Sequence, residues 1–293
     1  MSYSISSGDM EDIMPAKLKL MAILAHPDDE SMGTGGILSK YAAEGVETYL
    51  ITATRGQRGW FGDKSDYPGA TALGQRREEE LHAAAQVLRL KQVNLLDYMD
   101  GKLDEADAAE IIHKLSFYIR KIRPQVVVTF DSFGYYGHPD HIAISQFTTS
   151  AIVAAASSST NGSQSLPAHQ VSKLYYLASN VDEQIAYQAA FGELVMKIDG
   201  IDRHATPWPD WAITTRIDTS IYWQQVWSAI ACHHSQLPGY QSLLDLPEDY
   251  HRKLWGIQTF YRAFSLVNGG RETETDLFAG IHQEEVQYDR LFQ

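Results

Sequence analysis

Two short clusters carry side chains able to do hydrolytic chemistry: Ala25-His26-Pro27-Asp28-Asp29-Glu30 and His138-Pro139-Asp140-His141. Histidine and carboxylate are the donors a hydrolytic zinc takes, three from the protein with one position left open. His26 and Asp29, three residues apart, can face one centre, and His141 can complete the set. Residue types alone leave open which of Asp28, Asp29 and Glu30 binds. A metal held there lowers the pKa of water to about 7 and polarises a carbonyl. A second carboxylate must take the proton of that water, and Asp28 is adjacent. The oxyanion that forms needs a donor. His138, in its protonated state, supplies one and can then protonate a leaving amine, and Asp140 would orient that ring and raise its pKa. Taken singly, each cluster also reads as a turn leading into a helix, since Asp and Pro belong in both places. Only the two clusters together, brought into one crevice, make a catalytic site.

The elements around them bring them together. Residues 18–25 (LKLMAILA) form a short apolar run that ends at the first cluster and reads as a buried strand. A helix is expected over 34–45, closed by Gly45, then a strand over 46–53 and a glycine-rich loop over 55–70. Residues 74–90 are rich in helix formers with Leu81, Ala84, Ala85 and Leu88 on one face. A third strand is expected over 92–98, and a helix over 104–122 before Pro124. Residues 125–130 (QVVVTF) are apolar on both parities, as in a central strand covered on both faces. This alternation implies a parallel sheet with right-handed crossovers, a Rossmann-like doubly wound α/β fold. Ligands in such sheets bind beyond the carboxyl ends of strands where the strand order reverses. In the order 3-2-1-4, the first and fourth strands are neighbours there, and each ends at one of the clusters.

A helix is expected over 139–157 and a Ser/Gly/Pro loop over 158–168. Later strands are expected over 173–179, 212–218 and 258–267, with a helix over 219–234 capped by Thr219. The expected organisation is one domain over 17–293. A Rossmann-like core (17–157) holds the metal site, an irregular α+β lobe (158–293) shapes the substrate cleft, and residues 1–16 form a flexible segment.

Composition narrows the classes. The 293 residues are 44% hydrophobic and 21% charged, ordinary for a globular protein, with a formal net charge of −13 that argues against a nucleic-acid partner. A single cysteine, Cys232, excludes an internal disulfide or a multi-thiolate metal site. No apolar run reaches the roughly 18 residues of a membrane span, and the polar N-terminus lacks the features of a signal peptide. A cytoplasmic protein with a small-molecule partner is expected, and homo-oligomerisation is left open.

The stretches AHPDDE and VVVTFDSFGYYGHPDH together resemble the PIG-L/LmbE-like family of zinc-dependent N-acetylglucosaminyl deacetylases, and the second resembles the bacterial enzymes of mycothiol metabolism. The likeness is good over residues 18–155, with weaker echoes at 229–236 and 260–265. It implies removal of an acetyl group from an amino-sugar conjugate, with His26, Asp29 and His141 as metal ligands and Asp28 as general base. It also implies that His138 serves the oxyanion or the amine with Asp140 behind it, that Tyr136 stabilises the transition state, and that Arg77 contacts sugar hydroxyls. Zinc is the expected ion, and iron(II) can occupy the same set. The chain departs from the family pattern at Gln57, where an acidic residue is common, and over 180–212, where Trp208 and Trp211 could stack on a sugar. The rival within the same chemistry is an amidase acting on another amide, such as a thiol-sugar S-conjugate. A dinucleotide-dependent oxidoreductase is disfavoured because HPDDESMGTGG places acidic residues where a pyrophosphate would sit.

Overall fold

The computed structural model describes residues 17–158, 166–192, 195–198 and 200–281. Residues 1–16 and most of the 158–168 loop lie outside the described residues. The first half runs β1 (Lys19–Leu24), α1 (Asp29–Ala43), β2 (Glu47–Thr54), α2 (Ala70–Val87), β3 (Gln92–Tyr98), α3 (Ala108–Ile122), β4 (Val126–Phe130), a one-turn α4 (Gly134–Gly137) and α5 (Pro139–Ala156). The second half runs β5 (Lys173–Leu177), α6 (Val181–Phe191), β6 (Val195–Ile198), β7 (Ile201–His204), β8 (Thr215–Asp218), α7 (Trp223–Cys232), α8 (Gln241–Leu244), α9 (Glu248–Trp255) and β9 (Ile257–Ser265).

Seven strands form one sheet in the order β3-β2-β1-β4-β5-β9-β8. The first five are parallel, and β9 and β8 continue the sheet antiparallel. The strand order reverses between β1 and β4, as the sequence pattern implied. Every residue of β4 is buried, which accounts for its unbroken apolar run. β3, at the edge, is exposed or half-buried at all but one position. The amphipathic α3 starts at Asp107, whose carboxylate accepts the N–H groups of Ala109 and Glu110, and buries Ile111, Leu115, Ile119 and Ile122. The C-terminal third thus lends two strands to the main sheet. Off the sheet it adds the β6–β7 hairpin and the helices α6 to α9, of which α7 packs against α1 and α2.

Two local readings change. The helix expected from residue 34 begins at Asp29, inside the first cluster, so Asp29 and Glu30 occupy its first turn. Thr219 is not the cap of a helix running from 219: a 3₁₀ turn (Ser220–Tyr222) precedes α7, and the Thr219 hydroxyl donates to the Trp255 carbonyl at 2.6 Å. α6 and the β6–β7 hairpin were not foreseen. No helix among the described residues is long and apolar enough to cross a membrane.

A buried ion pair ties the C-terminal segment to the sheet. Lys173 on β5 is fully buried and meets Glu274 at 2.6 Å. Glu274 also accepts from the Tyr175 hydroxyl (2.7 Å) and from Asn268 (2.7 Å). Burial opposes ionisation of Glu274, but Lys173, Tyr175 and Asn268 outweigh it and hold its pKa down at about 2. Removing one partner of a buried pair strands the other charge, at a cost of about 3–5 kcal/mol. Arg262 Nη1 also meets Glu274, at 2.7 Å. Glu274→Ala is expected to lower unfolding stability by about that amount in urea titrations, and Lys173→Met in the same chain should recover only part of it, because Arg262 still loses this carboxylate. The depressed pKa means this stability is present above the unfolded value of about 4.3 and is lost as the pH falls toward 2. Glu274→Gln should flatten that acid limb, and an unchanged limb would show that the carboxylate is not its source.

Candidate metal centre and active site

Both clusters open at the carboxyl end of the sheet, one after β1 and one after β4. His26 follows β1, Asp29 opens α1, and His138 and His141 lie at the start of α5. The His26 Nδ1 and His141 Nε2 atoms are 3.2 Å apart. The two oxygens of Asp29 lie 3.5 Å from His26 Nδ1 and 3.5 Å from His141 Nε2. One Asp29 oxygen also accepts the N–H groups of Ala25 (3.2 Å) and His26 (2.7 Å), which fixes the carboxylate in the turn.

The outer nitrogens settle which lone pairs face inward. His26 Nε2 lies 3.2 Å from both Asp100 Oδ1 and Asp140 Oδ2, so it carries a proton and donates it, leaving Nδ1 toward His141. His141 Nδ1 faces the Gly134 carbonyl at 3.2 Å and donates to it, leaving Nε2 toward His26. Two lone pairs and a carboxylate aimed at one point repel one another unless a cation lies between them. Burial disfavours the charged ring of His26, yet Asp100, Asp140 and Asp29 outweigh it and hold its pKa well above the usual histidine range. The donor set therefore fits a metal ion. Two other buried trios, His26 with His138 and His141 and His26 with Asp100 and Asp140, also draw together here, the latter on the outer nitrogen of His26. We favour the Asp29-containing set because the His138 Nδ1 atom already accepts the Asp140 N–H at 3.1 Å.

His141 is held by its surroundings. Its ring stacks on Phe130 with centroids 3.8 Å apart. Gly134, at φ +65°, has no room for a side chain, because a Cβ there would come within 2.9 Å of the His141 Cβ. The Tyr136 ring flanks His141 (5.2 Å) and His138 (6.0 Å), and burial with the nearby Asp29 and Asp28 keeps its phenol protonated.

Asp28 adopts φ +108°, outside the usual range for a residue with a side chain. One of its oxygens, Oδ2, accepts from Arg77 Nη2 (3.0 Å) and from the Tyr240 hydroxyl (2.9 Å). Burial raises its pKa and Arg77 lowers it, while Asp29 adds to the rise, leaving it above the ordinary carboxylate value.

Three expectations need correction. Arg77, expected to meet sugar hydroxyls, is 3% exposed; it donates to the carbonyls of Pro27 and Gly56 and to Asp28, bracing the turn from within. Asp140 does not reach the His138 ring with its carboxylate, which accepts from Gly101 N (2.7 Å) and Leu103 N (3.0 Å) and holds His26 instead. Protonation of His138, which its expected role uses, is opposed here: burial, then His26 and His141, push its pKa down to about 3, and its Nδ1 is occupied as an acceptor. Trp208, a candidate sugar platform, stacks on Tyr261 and donates its indole N–H to Asp131 at 2.6 Å. Trp211 is 88% exposed.

Sequence reasoning missed Asp100, His233 and Tyr240. Asp100 follows β3 at the same edge of the sheet, so the carboxyl-end rule that located the clusters would have found it. Gln57, the departure noted above, accepts the Asp100 N–H at 3.2 Å and so supports that loop.

Comparison with known proteins bears on this arrangement. The family model for GlcNAc-PI de-N-acetylase (PIG-L) matches residues 21–152. A 1D-myo-inositol 2-acetamido-2-deoxy-alpha-D-glucopyranoside deacetylase of Thermobifida fusca is 31% identical over 89% of this chain and 99% of its own length. The chain belongs to the PIG-L family. Another relative, a mycothiol S-conjugate amidase of Streptomyces coelicolor, is 28% identical over 92% of this chain and 99% of its own. The fold is also shared, at TM-score 0.62 and 18% identity over 86% of this chain and 99% of the other, with GalB, a 4-carboxy-2-hydroxymuconate hydratase of Pseudomonas putida. A fold that also hosts a hydratase does not choose the reaction. Within the PIG-L frame, that choice lies with the residues gathered at the ends of β1 and β4.

Proposed function

We propose that this chain is a zinc-dependent hydrolase that removes the acetyl group from an N-acetylglucosamine-type conjugate, releasing acetate and a free amine. The observation that carries the reading is the convergence of His26 Nδ1, His141 Nε2 and Asp29 within 3.2–3.5 Å of one another. Zinc holds N and O donors tetrahedrally at about 2.0–2.1 Å, which spaces them roughly 3.3 Å apart. Iron(II) fits the same donors. A divalent ion held by this trio supplies Lewis acidity, acidifying water and polarising the acetyl carbonyl.

The chain's own residues do the rest. Asp28, its Oδ2 engaged by Arg77 and Tyr240, takes a proton from the attacking water on Oδ1 as the water oxygen bonds to the carbonyl carbon. The Tyr136 hydroxyl and the Nε2–H of neutral His138 are the donors offered to the oxyanion. When the carbon–nitrogen bond breaks, Asp28 returns its proton to the nitrogen, so the amine leaves neutral; the second water proton stays on the acetic acid, which gives it up to solvent and becomes acetate.

The testing experiment pairs elemental analysis with acetate release from a panel of N-acetylglucosaminides, before and after chelation. One equivalent of metal with chelator-sensitive acetate release is the expected result. Metal without acetate release would favour the second reading, which the Streptomyces coelicolor relative supports: the same machinery acting on the amide of a thiol-sugar S-conjugate. A protein that takes up neither zinc nor iron(II) would overturn both.

A further inference from the structure

The segment that follows α7 reaches back across the molecule to the turn carrying Asp28. His233 Nε2 lies 2.8 Å from Glu30 Oε1, and both side chains are fully buried. The other oxygen of Glu30 accepts the Asp28 N–H at 2.9 Å. Ser235 bonds Glu80 through its N–H (2.8 Å) and hydroxyl (2.6 Å), and Gln236 donates to the Gly59 carbonyl (2.9 Å), which ties the segment to α2 and to the loop after β2. Tyr240 then donates to Asp28 Oδ2. None of these residues lies within the stretch matched by the family model except Glu30, Asp28, Gly59 and Glu80.

Each contact answers a physical need. A left-handed conformation at a residue with a side chain is strained and persists only where its surroundings hold it. Glu30 holds the Asp28 N–H, and His233 holds Glu30. A carboxylate turning freely about its last bond would present either oxygen to the reacting centre. Tyr240 and Arg77 both bind Oδ2, so only Oδ1 is left without a hydrogen bond from a described residue.

We propose that residues 233–240 form a clamp on the general base: His233, acting through Glu30, fixes the backbone of Asp28, and Tyr240 fixes which oxygen takes the proton. His233 and Tyr240 are positioning residues in this scheme, which rests on the reading of Asp28 as base. Orientation of a reacting group acts on turnover more than on substrate affinity, so the signature is a split between kcat and KM.

Tyr240→Phe, which keeps the ring and removes the hydroxyl, is expected to lower kcat about tenfold while KM stays within about twofold, with metal content unchanged. Glu30→Ala should lower kcat further. Glu30→Gln, which retains an oxygen for the Asp28 N–H, should recover most of that loss. Wild-type kcat in Tyr240→Phe, or kcat and KM falling together in both Glu30 variants without rescue by glutamine, would overturn the clamp. Acetate release by the wild type separates this test from the parent reading. If the wild type releases none, crystal structures of Glu30→Ala and Tyr240→Phe decide: Asp28 leaving its positive φ in the first and rotating its carboxylate in the second supports the clamp, and an unmoved Asp28 in both refutes it.

Discussion

Asp28→Asn should hydrolyse an N-acetylated amino sugar about a thousandfold more slowly than the wild type while still binding one equivalent of metal. The side chain keeps its size, and an amide oxygen in the Oδ2 position still accepts from Arg77 and Tyr240, which lie 3.0 and 2.9 Å away. The turn therefore survives. Arg77 is not stranded, since it also donates to the carbonyls of Pro27 and Gly56. What disappears is the capacity to take a proton, because an amide nitrogen or oxygen is far too weak a base near neutral pH. Asp28 lies outside the trio of His26, Asp29 and His141, so metal content should not follow activity. Single-turnover acetate release alongside elemental analysis makes the comparison. Activity within tenfold of wild type would move the role of base elsewhere, with Asp100 the next carboxylate to examine.

His141→Ala should lose metal and activity together. Two of three protein donors remain, and the lost one presents its lone pair 3.2 Å from His26 Nδ1. The Lewis acidity at stake contributes several kcal/mol to the transition state, so turnover should fall at least about a thousandfold. Asp140→Asn provides the graded contrast. Its carboxylate holds the outer nitrogen of His26 at 3.2 Å and does not enter the trio, and such supporting partners change metal affinity or activity by roughly 10- to 100-fold. Equilibrium dialysis against zinc should therefore rank wild type, Asp140→Asn and His141→Ala in that order. Full metal occupancy in His141→Ala would sink the assignment of that histidine and raise His138 in its place.

Much of the frame was readable because it is local. The apolar run of β4 carries its own burial on both faces, and β1 ends where its apolar residues give way to His26. The alternation of strands and helices implies a parallel sheet, and the common 3-2-1-4 order of such sheets, which the structure has, brings His26 to His141. What was not readable depends on contacts between distant segments. The start of α1 moved into the first cluster because the Asp29 carboxylate accepts the N–H groups of Ala25 and His26, an arrangement no propensity scale encodes. Arg77 sits beside Arg76 on a charged stretch of helix, and only tertiary packing decides that Arg77 turns inward. Sequence proximity gives Asp140 to His138, its neighbour two residues away, whereas folding gives it His26, more than a hundred residues distant. Thr219 has the side chain of a cap, but the carbonyl it bonds belongs to Trp255.

The place of β9 in the sheet has a consequence for how the chain is made. β8 precedes β9 in sequence, yet the strand it pairs with among the described residues is β9, which in turn pairs with β5, and its further bridge, Thr215 to Glu274, is to a segment made later still. On the ribosome, where chains emerge from the N-terminus, β1 to β5 can assemble as the polypeptide appears, while β8 must wait for the strand synthesised after it. The segment carrying His233 and Tyr240 emerges in that same interval. A nascent chain can therefore possess the metal ligands before it possesses the parts that aim the base, and catalytic competence arrives as one of the last events of synthesis.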